Sequence, residues 1–160
     1  MIQITAFKEF FESAIVWANA KADTEITGGK TISSLIMAVE ENHLIKKIKD
    51  KAGIVLAIKY PSSDSQGDED GYAERNKCLI YCVTKWDPGK VTDAEETNHY
   101  SVLQELTRRV KEYLNTSDKG PGICGVENGL YSGFRTEWEY NIFGGYYGLS
   151  VSFDLRNFTL

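Results

Sequence analysis

The chain has 160 residues, 42% hydrophobic and 26% charged, which fits one globular domain over residues 1–160 with a sizeable core. Its net charge of −5 argues against nucleic acid as the main partner, because phosphate binding needs a concentrated positive surface. No apolar run is long enough to cross a bilayer, and Met1–Thr5 lacks the basic and apolar segments of a signal peptide, so neither a membrane nor export is expected.

Between Thr5 and Ala22, Phe7, Phe10, Phe11, Ala14, Trp17 and Ala18 recur at helical spacing and predict an amphipathic helix with an aromatic stripe. Asp23 to Lys30 is polar, ends in Gly28-Gly29 and reads as a loop. Ile32, Leu35, Ile36 and Val39 then predict a second, shorter helix that breaks near Asn42-His43, since Leu44, Ile45 and Ile48 fall on another side. His43 is read as a packed or capping residue. Gly53 opens a first strand, Ile54 to Tyr60, apolar enough for a central position and ended by Pro61. Ser62 to Gly71 is polar and acidic, so it is expected to be a mobile loop.

A second strand runs from Lys77 to Trp86, and Asp87-Pro88-Gly89 is a turn. Thr92 to Glu95 has the form of a capping box. It opens a helix whose face is traced by His99, Leu103, Leu106, Val110 and Tyr113. Asn115 to Gly129 is a linker with room for a short strand at Ile123–Val126. The last stretch alternates strictly: Phe134, Thr136, Trp138, Tyr140 and Ile142 against Arg135, Glu137, Glu139 and Asn141. Past Gly144-Gly145, Tyr147, Leu149, Val151, Phe153 and Leu155 alternate with small and polar residues. Period two on both sides of a glycine turn predicts a β-hairpin with one buried face. That face, with Trp138 and Val151, is expected to pack under Trp17 and Phe11.

The order helix, helix, strand, strand, helix, strand, strand predicts an α+β two-layer domain. It has a mainly antiparallel sheet of about four or five strands, helices on one face and a closing hairpin.

The motifs that could carry chemistry are weak. Gly28-Gly29-Lys30-Thr31 resembles the tail of a P-loop, but Thr24 stands where its first glycine belongs and a helix precedes it. Cys78 and Cys82 lie four apart in a strand, roughly 13 Å, too far for a disulfide, so reduced core cysteines in a reducing compartment are expected. With Cys124 and a histidine they show no metal-ligand spacing. Ser/His/Asp catalysis would need His43 or His99, and no nucleophile elbow occurs. Glu137 and Glu139 share one strand face, with Asp154 across the hairpin, a pattern open to acid/base work but also normal for a wet sheet face. Basic residues at Lys46–Lys51 and Arg108–Lys111 suit helix C-termini. Phe143, Tyr146 and Tyr147 crowd the Gly-Gly tip and are expected to serve as contacts, together with Asp68, Glu69 and Asp70 of the acidic loop.

From Ile54 onward the chain resembles small bacteriophage and prophage tail-module proteins of the tail-terminator and tail-completion kind. The residues that carry the likeness are Lys77-Cys-Leu-Ile-Tyr-Cys-Val-Thr-Lys85, the helix around Leu103–Leu114 and Trp138-Glu-Tyr-Asn-Ile-Phe-Gly-Gly-Tyr-Tyr-Gly-Leu-Ser-Val-Ser-Phe153. The two elements ahead of the first strand depart from that pattern. The resemblance implies a non-enzymatic assembly protein without cofactor or catalytic residues. It would associate with itself, as a ring or other homo-oligomer, and with other tail proteins, in the bacterial cytoplasm and the virion. Two alternatives stay open: a small hydrolase or ligand-binding domain using Glu137, Glu139 and Asp154, and an acidic adaptor or immunity protein with a basic partner.

Overall fold

The computed structural model describes residues 2–68, 71–116 and 133–158, without the side chains at 66, 68, 71–73 and 156–158. In chain order the elements are α1 (Ile4–Lys21), α2 (Thr24–Thr27), β1 (Ile32–Ala38), α3 (Glu41–Ile48) and β2 (Ile54–Asp68). They are followed by β3 (Gly71–Lys85), α4 (Asp93–Asn115), β4 (Arg135–Ile142) and β5 (Tyr146–Phe158). One five-stranded sheet runs β1-β2-β3-β5-β4. β1 lies parallel to β2 and every other pair is antiparallel, so the α+β class holds with a mixed sheet.

Three expectations about the first half are corrected. Ile32 to Ala38 is a strand, not a helix, and the following helix starts where the break was expected, at Glu41. Ser62 to Asp68 is no loop, because β2 continues through it in register with Lys77 back to Gly71. Pro61 falls at the register shift between Lys59 and Ser62, where the ladder can spare a missing N–H. His43 is exposed rather than packed.

Both long helices roof the same face. Phe7, Phe11, Ala14 and Ala18 of α1 and Val102, Leu103, Leu106 and Val110 of α4 share one buried cluster with Leu56, Ile80, Val151 and Phe153 of the sheet. Trp17 is only partly buried and rests on Tyr113 of α4, ring centroids 5.9 Å apart. The short α3 covers part of the opposite face, where Leu44 and Ile48 meet Ile36, Val55, Val83, Phe143 and Tyr146. Cys78 and Cys82 are free and buried, and burial pushes both thiols up to about 12.

The capping box of α4 is formed: Thr92 Oγ1 accepts from the Glu95 amide and Glu95 Oε2 accepts from the Thr92 amide. Further along α4, Glu105 is buried and ties the helix to the α1–α2 junction by accepting from the Asp23 amide at 3.0 Å. Arg108 and Arg109 donate to the same carboxylate at 2.9 and 2.8 Å. Burial alone would raise this carboxyl, but the bonds from Arg108, the Asp23 amide and Arg109 outweigh it and bring the pKa to about 2.

Candidate functional site

The terminal hairpin turns at Ile142–Gly145, with the Gly145 amide donating to the Ile142 carbonyl at 3.2 Å. Positive φ at Gly144 and Gly145 explains the paired glycines. Phe143 also holds φ at 50°, and its ring is driven inward against Tyr81, centroids 4.9 Å apart. The tip aromatics are therefore not free surface: Phe143, Tyr146 and Tyr147 are 6%, 1% and 3% exposed. Tyr146 reaches α3, its hydroxyl lying 2.8 Å from the Ile48 carbonyl and 3.1 Å from that of Lys51. α3 supplies the cover that sequence alone did not reveal. Of the acidic contact candidates, Asp68 ends β2 with its side chain outside the described residues, and Glu69 and Asp70 lie outside them altogether. Cys124 and the short strand at Ile123–Val126 lie outside as well.

The exposed aromatics are instead those assigned inward. Trp138 and Tyr140 are 59% and 63% exposed, and no residue of β4 is buried. The alternation holds at Phe134, which packs on Phe153, and at Trp138, which packs on Tyr100 of α4, centroids 5.6 and 5.4 Å apart. Past the register shift, however, Ile142 turns to the opposite face, beside Phe143 and Tyr146. What fails is the roof, because the buried face of α4 packs over β3 and β5 and stops short of the outermost strand.

Between α4 and β4 lies a groove of about 460 Å³ lined by Thr97, Tyr100, Ser101, Gln104 and Trp138. Tyr100 spans it and donates its hydroxyl to the Glu139 carbonyl at 2.9 Å. Burial, then Glu96, raise the Tyr100 pKa, which keeps that donor protonated. Lys111 donates to Thr136 Oγ1 at 3.1 Å and stands 5.7 Å over the Phe134 ring. Behind the groove, Trp86 is stacked between His99 and Tyr147, at 5.0 and 4.4 Å. Burial and then Lys30 lower the His99 pKa, so this histidine is a neutral packing ring near pH 7.

The carboxylates considered for acid/base work do not converge. Glu137 is paired with Arg135 at 2.7 Å, Glu139 accepts from Ser150, and Asp154 is held by Arg75. Asp154 sits four residues along β5 from Ser150, the cross-strand partner of Glu137, roughly 13 Å away by strand rise. Among the described residues no group of three or more His, Cys, Asp or Glu could hold a metal ion, and no helix is long and apolar enough to cross a membrane.

No family model and no curated protein matches the chain. Among solved structures it is similar to a chain from the virion of a native gene transfer agent particle. That match has 14% identity and a TM-score of 0.49, covering 91% of this chain and 93% of the other. A likeness of that degree identifies no functional residue here.

Proposed function

We propose that this chain is a non-enzymatic assembly protein that works by self-association and by docking neighbouring subunits along β4. The observation that carries the reading is an outermost strand displaying two large aromatic rings, Trp138 and Tyr140, beside a groove. Among the described residues no strand pairs with the outer edge of β4; such an edge is a template for another chain, and aromatic anchors dominate many protein contacts. The virion setting comes from the resemblance of the segment from Ile54 onward to phage tail-module proteins. The contact residues shift accordingly, from the buried tip ring set to Trp138 and Tyr140.

Light scattering across a concentration series tests this. The measured mass should rise above the 18.0 kDa of one chain, and Trp138→Ala with Tyr140→Ala should hold it at one chain while the circular dichroism spectrum is unchanged. A wild-type protein that stays at one-chain mass throughout would overturn self-association.

A further inference from the structure

The charge pattern of β4 specifies how two copies would meet. We infer that the occupant of the β4 edge is a second copy of β4, antiparallel across a twofold axis that passes through Thr136. This rests on the self-association reading and goes further by fixing partner, direction and register.

Two copies related by a twofold perpendicular to the sheet keep their faces, so only residues of like parity can lie opposite one another. Centred on Thr136, Arg135 of each copy lies opposite Glu137 of the other, twice over, and Phe134 lies opposite Trp138. Thr136 meets itself, a favourable cross-strand pair. Moving the centre to Arg135 or to Glu137 sets that residue against its own copy, and centring on Trp138 sets Glu137 against Glu139 twice. Like charges directly opposite are destabilising. The Thr136 register alone pairs opposite charges with no like-charge pair.

The geometry of the strand agrees. Its regular ladder with β5 runs from Arg135 to Glu139 and then breaks at a register shift before Ile142, so the usable edge is short. Thr136 pairing aligns residues 134–138 of both copies, within that ladder and short of the Glu139 carbonyl that Tyr100 holds. Arg135 and Glu137 already pair within one strand at 2.7 Å and are 76% and 55% exposed at their side chains. They are free to exchange this contact for the cross-strand one without unpacking any core.

Charge reversal provides the test. Arg135→Glu and Glu137→Arg are each expected to weaken wild-type dimerisation roughly tenfold, because each sets like charges opposite one another twice. Mixing the two single variants should restore association, since in the mixed pair every contact is again between opposite charges. Analytical ultracentrifugation of each variant and of the mixture reads this out, with circular dichroism to confirm folding. Single variants that dissociate without rescue on mixing would overturn the register. Variants that associate like wild type would remove β4 from the interface and leave self-association standing. A wild type that stays monomeric overturns both readings and leaves the edge to a different protein.

Discussion

The sheet has two outer strands, and the chain treats them differently. At β1 the edge is closed from within. Asn19 of α1 bonds both backbone groups of Ile32, at 2.8 Å to the amide and 3.0 Å to the carbonyl, in place of a neighbouring strand. Lys47 of α3 donates to the Met37 carbonyl at 2.6 Å. The adjoining groove of about 440 Å³ carries Lys8, Lys47 and Lys51, charges of the kind that discourage strand addition. At β4, among the described residues, the helix layer supplies Tyr100 on the Glu139 carbonyl and side chains around Phe134, Thr136 and Trp138. The β1 edge is plugged by its own helices, whereas β4, the edge proposed to take a neighbour, keeps two rings exposed and its charges balanced.

The largest expected effect comes from loosening the helix whose limited reach creates the contrast. Glu105 anchors α4, and its folded pKa of about 2 lies below its ordinary 4.5. A depressed carboxylate stabilises the fold above its unfolded pKa. That contribution, about 3 kcal/mol, should therefore drain away as pH falls from 4.5 towards 2. Urea midpoints measured across this window should fall steeply in wild type and much less in Glu105→Gln. Next is the β1 plug: Asn19→Ala strands two backbone groups of buried Ile32 and should cost about 1–3 kcal/mol in chemical denaturation. The smallest effect belongs to β4. Trp138→Ala, measured at low protein concentration, should change stability by less than about 0.5 kcal/mol, as an exposed side chain would. A loss of several kcal/mol there would mean that the ring is buried after all and that the two edges are alike.

Strong local signals carried much of the fold. The aromatic stripe of α1, the Thr92 capping box, the α4 face and the alternation of β5 all correspond to observed elements. β1 was misread because Ile32, Leu35, Ile36 and Val39 satisfy the helical period, and a short apolar run buried against helices need not alternate. The outer part of β2 was missed because Ser, Asp and Gly are poor strand formers, and cross-strand pairing with β3 overrides them. At the candidate site the alternation of β4 was legible but its exposure was not. Which face of a strand is wet depends on how far a helix from elsewhere in the chain extends. Tyr100 escaped notice for the same reason: it lies beside the buried stripe of α4 and acquires its role only when β4 arrives alongside.

The Tyr146 hydroxyl has one proton and faces two carbonyls at the end of α3, belonging to residues almost a hundred positions earlier. During synthesis, α3 and the parallel β1–β2 unit emerge from the ribosome long before this residue exists. Until it arrives, the Lys51 carbonyl lacks this donor, the Ile48 carbonyl keeps only the Lys51 amide, and Ile48 lacks the ring that covers it. The N-terminal half thus lacks part of its cover, and completion waits for the last strand to insert between β3 and β4. A chain stopped short of Tyr146 would expose both the apolar face of α3 and the open flank of β3, so a truncated product would be marked for aggregation or removal.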